Sequence, residues 1–467
     1  MRLIVRGGTV ISAQQEVRAE VLVEGERVLA VAPPDTELAR SFAAAADRVV
    51  EAAGRYVIPG GVDAHTHMEM PFGGTFAADS FETGTRAAVW GGTTTIVDFA
   101  IQPRGGSLHQ GLEGWLARAE GRCAADYGFH MILSEVTDAS LAEMDRLVEE
   151  GVTSFKLFMA YPGVFYATDG EILRAMQRAA GIGALIQMHA ENGIAIDQLV
   201  LQALARGERS PKFHGSTRPA VLEGEATHRA IALARVAGAP LYVVHLSAAE
   251  ALAEVADARD RGEPVFAETC PQYLFLSDDE LAGDGFEGAK FVCSPPLRPR
   301  AHQAALWRGL RTDDLQVVAT DHCPFCFREQ KELGRDDFSK IPNGLPGVEH
   351  RLDLLHHAAT EGRIPLTRWV ELVSTAPARM FGLFPRKGTI GPGSDADIVV
   401  YDPSRSRTLG AATHHMAVDY SCYEGLRVKG AAETVLVRGR VVLEGGRYVG
   451  RPGDGRFLAR GLSRALG

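Results

Sequence analysis

Five short segments of the chain each finish with side chains that can bind a metal ion, at the point where an apolar run typical of a β-strand ends. The residues are His65 and His67 in GVDAHTHME, Lys156 in TSFKLFMAY, His189 in LIQMHAEN, His245 in YVVHLS and Asp321 in VVATDHCP. Imidazole and carboxylate groups are common ligands of zinc. Because helix-length stretches separate the segments, the pattern predicts two metal ions at the mouth of a (β/α)₈ barrel, where the carboxyl ends of the strands meet. A site of that kind is typical of a metal-dependent hydrolase.

His65 and His67 lie two residues apart, so on a strand both side chains point to the same face. Such a pair can also arise by chance, because the chain contains 15 histidines. Asp63 and Thr66 are interleaved with the two histidines. The strand therefore ends in a polar cluster, which favours a binding site over a chance pair.

Lys156 lies in the apolar run from Ser154 to Met159. An ammonium group inside a barrel is costly unless it has a partner, so the side chain could instead point outward or pair with an acidic residue. Alternatively, a lysine with a lowered pKa can react in its neutral form with CO₂ to give a carbamate. The two oxygens and the negative charge of a carbamate suit a bridge between two divalent cations. The four histidines and the aspartate that accompany Lys156 favour the bridge.

His189, His245 and Asp321 complete a set of one lysine carbamate, four histidines and one aspartate. A solitary histidine at a strand end is more often a satisfied residue of the core or the rim, and it is the full set that favours ligands here. Asp321 is also a good residue for a helix N-cap. In two-metal hydrolysis, a carboxylate at this position can bind one metal and also carry the proton of the attacking water.

The middle of the chain alternates buried strands with amphipathic helices, which predicts an α/β fold. The candidate strands are residues 61–67, 93–100, 128–134, 154–158, 184–189, 241–246, 265–269 and 316–320. Several are continuous apolar runs, as expected for parallel strands covered on both faces. Eight strands with helices between them, such as 138–149 and 250–261, fit a TIM barrel. A doubly wound sheet is the alternative, but no Gly-rich phosphate loop follows the first strand.

The two ends of the chain resemble each other. Residues 3–11 and 435–443 both read as a strand, a tight Gly turn and a second strand, which predicts two hairpins. Further strands are expected at 19–31, 48–58 and 396–401. We therefore expect a β-sandwich built from residues 1–58 and 385–467, with the barrel, residues 59–384, inserted between the two parts.

Composition narrows the class of protein. The 467 residues carry a net charge of -10, which argues against a nucleic-acid surface. The six cysteines are too few and too scattered for a disulfide framework, and the lone CPFC motif has no second pair to complete a zinc site. The sequence shows neither a membrane-spanning run nor a signal peptide, which predicts a cytoplasmic protein that does not bind membranes.

Segments along nearly the whole chain resemble those of dihydropyrimidinases and D-hydantoinases, the cyclic amidohydrolases of the amidohydrolase superfamily. The segments are PGGVDAHTHMEMPFGG, GGTTTIVDFA, SFKLFMAYPGVF, QMHAEN, VVHLS, ETCPQYL, CSPPLR, ATDHCPF, IPNGLPGVEHRL, SDADIVVYDP and YEGLRVKG. The resemblance implies a TIM barrel with a split β-sandwich, two zinc ions and a carboxylated Lys156. It also implies a homotetramer that opens the rings of dihydrouracil, dihydrothymine or hydantoins in the manner of pyrimidine catabolism. Manganese or cobalt could replace zinc at such ligands.

The resemblance also implies roles for individual residues. Five of them would hold metal ions that Lys156 bridges: His65, His67 and Asp321 the more buried ion, and His189 and His245 the more exposed one. A bridging hydroxide would attack the ring, and Asp321 would pass the proton to the leaving nitrogen. Tyr161 matches the tyrosine that hydrogen-bonds the scissile carbonyl oxygen, and Ser294 and Asn343 match positions whose backbone holds the ring amide. Pro162 and Gly163 depart from the family pattern after that tyrosine, which leaves the shape of the substituent loop open.

Other functions share parts of this pattern. Dihydroorotases carry an arginine shortly after H-x-H, where this chain has Met68, Glu69 and Met70. Allantoinases generally lack the tyrosine at position 161. Non-catalytic relatives of dihydropyrimidinase act as scaffolds and have lost metal ligands, whereas this chain keeps all six.

Two further features are left open by the sequence. One is a set of apolar residues that could line a pocket for ring substituents or pack at the rim: Met68, Met70, Phe72, Phe76, Phe99, Tyr161 and Phe165. The other is the basic segment 456–466, which could be an arm that packs on a neighbouring subunit or a frayed tail.

Overall fold

The computed structural model describes residues 1–465, so Leu466, at the end of the predicted arm, and Gly467 lie outside the described residues. Within residues 1–465, no helix is both long enough and apolar enough to cross a membrane. The strands are β1 (Arg2–Arg6), β2 (Thr9–Ile11), β3 (Glu16–Arg18), β4 (Glu20–Glu24), β5 (Arg27–Ala32), β6 (Arg48–Glu51), β7 (Tyr56–Pro59), β8 (Gly61–Thr66), β9 (Pro71–Phe72), β10 (Thr75–Phe76), β11 (Thr93–Ile101), β12 (Asp126–Ile132), β13 (Ser154–Phe158), β14 (Leu185–His189), β15 (Leu241–Val243), β16 (Val265–Thr269), β17 (Val317–Val318), β18 (Ile398–Thr408), β19 (Arg427–Val437), β20 (Arg440–Glu444) and β21 (Arg447–Tyr448).

Helices connect the central strands, and many begin at a serine or threonine cap. The α-helices are α1 (Glu37–Ala44), α2 (Phe81–Trp90), α3 (Leu108–Ala119), α4 (Asp138–Glu149), α5 (Asp169–Ile182), α6 (Gly193–Ala205), α7 (Lys212–Ser216), α8 (Ala220–Ala237), α9 (Ala249–Asp260), α10 (Pro271–Phe275), α11 (Ala301–Thr312), α12 (Arg351–Thr360), α13 (Leu366–Val370) and α14 (Ala376–Met380). Ser80, Ser107, Thr137 and Thr168 each form a capping box that satisfies the first amide groups of α2 to α5. Short 3₁₀ segments cover Asp278–Ala282, Glu287–Phe291, Lys331–Gly334 and Phe338–Lys340, and a π-helical turn covers Glu371–Thr375.

Eight parallel strands form the barrel. Strands β8 and β11 to β17 follow one another in a single sheet, and every neighbouring pair is parallel. A parallel bridge between Thr66 and His322 joins the end of β8 to the residues after β17, which closes the sheet on itself. All residues of β8, β12, β13 and β14 are buried, as expected for strands covered on both faces. The predicted TIM barrel is confirmed.

Both ends of the chain contribute strands to a second sheet. Its order is β21-β20-β19-β18-β7-β2-β3, and a four-stranded sheet of order β5-β4-β1-β6 packs beside it. One apolar cluster combines Leu3 and Val21 of the smaller sheet with Val57, Ile398 and Leu436 of the larger sheet. The terminal segments therefore form two packed β-sheets, with N-terminal and C-terminal strands as direct neighbours.

The predicted C-terminal hairpin is present, but the predicted N-terminal one is wrong. Strands β19 and β20 pair antiparallel, whereas β1 and β2 lie in different sheets. Gly7 has a φ of 80°, and a Cβ at Gly8 would lie 2.5 Å from Cγ2 of Val57. The two glycines thus form a corner at which the chain passes closely from one sheet to the other. A Gly-Gly pair between apolar runs is compatible with both outcomes, so the local sequence does not distinguish them.

The segment 456–465 covers the amino-terminal end of the barrel. Phe457 forms a parallel bridge with Tyr127 at the start of β12, and Leu458 is fully buried among strand residues. The buried guanidinium of Arg460 donates to the carbonyl of Phe129 and to Oγ of Ser154, and burial lowers its pKa to about 9. The alternative of a frayed tail is wrong for these residues, and packing against a neighbouring subunit stays a prediction.

Candidate active site

Four of the predicted ligands meet at the carboxyl end of the barrel. Nε2 of His65 lies 3.1 Å from Nε2 of His67, 3.1 Å from Oδ1 of Asp321 and 3.0 Å from Nζ of Lys156. Nε2 of His67 is 3.2 Å from the same Asp321 oxygen. All four side chains are buried. The barrel therefore directs two imidazoles, one carboxylate and one amine at a common point.

His189 and His245 adjoin this group from the neighbouring strands. His189 ends β14, His245 follows β15, and Nδ1 of His189 lies 2.9 Å from Nε2 of His245. The ligand atoms of His65, His245 and Asp321 all lie within 4.8 Å of one another, the spacing that one ion requires. The six predicted ligand positions thus converge in one place.

Lys156 is enclosed by the site. Its side chain is 1% exposed, and Nζ lies 4.2 Å from the centre of the Phe99 ring. Burial lowers the pKa of Lys156 to about 8. The outward-pointing orientation considered from the sequence is wrong, because β13 aims this side chain inward. At a given pH, this lowered pKa gives Lys156 a larger neutral, nucleophilic fraction than an exposed lysine has.

Carboxylates around the histidines were missed by the sequence reasoning. Glu268 on β16 contacts Nδ1 of His65, accepts the backbone N–H of His245 at 3.1 Å and accepts the Tyr242 hydroxyl at 2.8 Å. Oε2 of Glu191 lies 2.8 Å from Nε2 of His189. Carboxylates at the second ring nitrogen fix the tautomer and orientation of metal-binding histidines. A single glutamate inside the apolar run VFAET was an available signal for Glu268.

Charge at the site is set by burial and by neighbours. Burial lowers the pKa of His67 to about 3, so this imidazole stays neutral, the form that binds metal. Burial opposes ionisation of Asp321, but the adjacent His65 and His67 hold its pKa well below the usual range. Asp321 is therefore a carboxylate at every pH at which the protein would work.

Three residues of the site have left-handed backbone. The φ angles are 61° for Tyr161, 39° for His245 and 50° for Asp321. Non-glycine residues rarely adopt this region, and such strain is held in place where the surrounding structure needs the side chain to point in one direction. All three residues follow the carboxyl end of a barrel strand, after β13, β15 and β17 respectively.

Tyr161, Ser294 and Asn343 lie together beside the histidines. Nδ2 of Asn343 donates to Oγ of Ser294 at 3.1 Å, and Tyr161 lines the same cavity as these two residues. Burial raises the pKa of the Tyr161 hydroxyl above its ordinary value, so it remains a proton donor. A cavity of about 40 Å³ is lined by these three residues and by five of the six predicted ligands, all except His65.

A wider vestibule of about 980 Å³ continues from this cavity toward the surface. Phe72, Tyr161 and Asn343 line both spaces, so they mark the passage between them. Of the apolar residues considered for a substituent pocket, Met70 and Phe165 line the inner cavity and Phe76 lines the vestibule. Met68 lies instead in the barrel core, and Phe99 packs beneath His65.

Comparison with known proteins agrees with this geometry. The sequence profile of the Amidohydrolase family matches residues 56–442. The chain is 67% identical to a D-hydantoinase of Streptomyces coelicolor, over 100% of this chain and 99% of that protein. It is 47% identical to a D-hydantoinase of Geobacillus stearothermophilus, over 100% of this chain and 98% of that protein. The crystal structure of a dihydropyrimidinase from Brevibacillus agri superposes with a TM-score of 0.96, at 47% identity and with 99% of each chain covered.

The chain belongs to the amidohydrolase family. Within that family it groups with the hydantoinases and dihydropyrimidinases, and it is a cyclic amidohydrolase. Amidohydrolases generally use a binuclear metal centre. The side chains of this amidohydrolase fit such a centre, because they are imidazoles and a carboxylate, the donors that zinc accepts. In addition, the buried Nδ1 atoms of His67 and His245 have no hydrogen-bond partner among residues 1–465.

Proposed function

We propose that this amidohydrolase opens hydantoins and 5,6-dihydropyrimidines, such as dihydrouracil and dihydrothymine, to N-carbamoyl amino acids. One water is consumed: its oxygen bonds to the ring carbonyl carbon, the ring C–N bond breaks, and a proton goes to the leaving nitrogen. The observation that carries the proposal is that five metal-capable side chains and a tyrosine–serine–asparagine group line one cavity, with His65 directly beside them. Its relatives named as D-hydantoinases support the same reaction.

The ligand set divides into two halves around Lys156. His65, His67 and Asp321 would hold the more buried ion, and His189 and His245 the more exposed one. Zinc is the ion we propose, and manganese or cobalt would suit the same donors. When bound, two such ions lower the pKa of water toward neutrality and polarise the substrate carbonyl.

Lys156 would carry the group that joins the two halves. We propose that Nζ in its neutral form bonds to the carbon of CO₂ and releases one proton, which leaves a carbamate with two oxygens. Support comes from the burial of the side chain and from the 3.0 Å separation between Nζ and Nε2 of His65. An unmodified ammonium at that distance from an imidazole would repel any cation held by the histidines.

The remaining steps fall to residues of the protein. Asp321 would accept the proton from the attacking water and deliver it to the leaving nitrogen. Tyr161 would donate its O–H to the carbonyl oxygen as negative charge develops. The backbones of Ser294 and Asn343 would hold the ring amide, and the vestibule would receive substituents of the ring.

Ring opening by the purified, zinc-loaded protein tests the function. Hydantoin and dihydrouracil should both be hydrolysed, and removal of metal with a chelator should abolish turnover until zinc is restored. The measurement is the loss of absorbance of the ring together with detection of the N-carbamoyl product. Allantoin and dihydroorotate serve as competing substrates.

The outcomes separate the alternatives. Chelator-sensitive turnover of either proposed ring supports the proposal and ranks the two rings. Turnover of allantoin or dihydroorotate alone would reassign the substrate and leave the site in place. No turnover and no bound metal would favour a non-catalytic scaffold.

Replacement of Tyr161 by phenylalanine tests the proposed oxyanion donor. Loss of one donor of this kind lowers kcat by about 10²- to 10³-fold, and the metal content should not change. Tyr166→Phe is the matched control, because this nearby tyrosine contacts Phe158 through its backbone. Equal values of kcat for Tyr161→Phe and the wild type would remove Tyr161 from the mechanism.

A further inference from the structure

Lys331 is a fully buried lysine outside the ligand set. It begins the 3₁₀ segment Lys331–Gly334, and its side chain is 0% exposed. Its Nζ donates to the carbonyl oxygens of Val292 at 2.8 Å, Pro342 at 2.8 Å and Gly344 at 2.9 Å. An ammonium group has three N–H donors and no acceptor, so these three bonds use its full capacity.

The three carbonyls belong to the two loops that would hold the substrate amide. Pro342 and Gly344 flank Asn343 on either side, and Val292 lies two residues before Ser294. The loops also touch each other directly, since the N–H of Gly344 donates to the carbonyl of Val292 at 3.0 Å. Nζ of Lys331 therefore joins the backbone on both sides of Asn343 to the loop of Ser294.

Burying the ammonium of Lys331 costs free energy that a residue which only fills space would not cost. Burial lowers the pKa of Lys331 to about 7. Among residues 1–465, the titratable groups that bear on it are the thiols of Cys293, Cys323 and Cys422, not carboxylates. A buried ammonium without a carboxylate is destabilising unless carbonyl oxygens replace its hydration. An apolar residue would fill the same volume at lower cost but could not tie the two loops together.

We infer that Lys331 is a positioning residue for substrate binding: its ammonium holds the loops of Ser294 and Asn343 at the spacing that receives the ring amide. This inference rests on the proposed function, because it assigns the amide-binding role to those two loops. Lys331 contacts none of the predicted ligands and does not itself line the cavity. It reaches the cavity lining only through the carbonyl of Gly344, so it acts through the loops. Its loss should therefore weaken binding of substrate and transition state alike.

Replacement of Lys331 by methionine, which keeps the length of the side chain and removes the donors, tests the inference. KM for hydantoin should rise roughly tenfold or more while kcat changes little, the signature of lost uniform binding. Metal content should equal that of the wild type. Lys331→Gln, which keeps an N–H₂ group, should give an intermediate KM and serves if the methionine variant does not fold. The control is Lys290→Met, a partly exposed lysine near Val292 whose ammonium pairs with Glu287.

A second measurement does not depend on turnover. Amide hydrogen exchange of the metal-loaded protein should become faster in peptides covering 290–297 and 340–347 of Lys331→Met, and not in peptides of the barrel strands. Unchanged KM and unchanged exchange in these loops would overturn the inference. If the wild type opens neither ring, the proposed function fails, and the exchange experiment still decides whether Lys331 holds the two loops.

Discussion

Replacement of Lys156 by alanine is expected to release most of the bound metal and to lower kcat about a thousandfold, since bound ions contribute several kcal/mol of charge stabilisation. The alanine variant loses the proposed carbamate and leaves a space beside Phe99 and Nε2 of His65. A short carboxylic acid such as propionate supplies two oxygens and one negative charge to that space. Added propionate should therefore restore part of both the metal content and the turnover.

The matched control is Lys429→Ala, which removes an exposed lysine on β19, a strand of the terminal sheet and not of the barrel. Metal content and kcat of this control should match those of the wild type. Protein loaded in the presence of ¹³C-labelled bicarbonate should also show a carbamate signal that is missing from Lys156→Ala. Full metal content with normal turnover in Lys156→Ala would contradict the carbamate hypothesis.

Replacement of Asp321 by asparagine should lower kcat by about 10³-fold, within the range for loss of a positioned proton carrier. Asparagine keeps the shape of the side chain and one carbonyl oxygen, but it cannot accept the proton of the attacking water. KM should change far less than kcat, because the amide-binding loops are untouched. Steady-state kinetics on hydantoin, with metal content measured on the same samples, separates loss of the proton carrier from loss of metal.

Asp284→Asn is the control for this substitution, since Asp284 is exposed in the loop between two 3₁₀ segments. Its kinetic constants should be those of the wild type. If Asp321→Asn retained both full metal and a kcat within about tenfold of the wild type, another group would have to carry the proton.

The convergence of the six predicted ligands could be anticipated from the sequence, because in parallel strands it depends only on where each strand ends. A side chain at the end of a buried strand in a barrel must lie at the carboxyl face, whichever strand carries it. His65, Lys156 and Asp321 therefore share a site although up to 256 residues separate them in the sequence. The alternation of apolar strands and helices is also a local pattern, so the barrel itself could be predicted from the sequence.

The supporting residues could not be found in this way. Glu268 reaches His65 only because the barrel closes and leaves just β17 between β16 and β8, and no local pattern records which side chains meet there. The three carbonyls around Lys331 come from loops 39, 11 and 13 residues away, and backbone oxygens carry no sequence signal. Glycines such as Gly7 and Gly8 suit both a hairpin turn and a corner between two sheets, so the sequence does not separate these two structures.

The segment 456–465 also bears on how the chain is made. A ribosome releases residues in order, so every barrel strand emerges before this segment does. Until then, the carbonyl of Phe129 and the hydroxyl of Ser154 lack the Arg460 guanidinium, and the amino-terminal end of the barrel is open. Strand β7 likewise lacks its neighbouring strand β18 during synthesis, because β18 lies more than 300 residues later in the chain. Nascent chains that stop short of residue 456 thus expose apolar barrel residues such as those around Leu458, the kind of surface that chaperones bind.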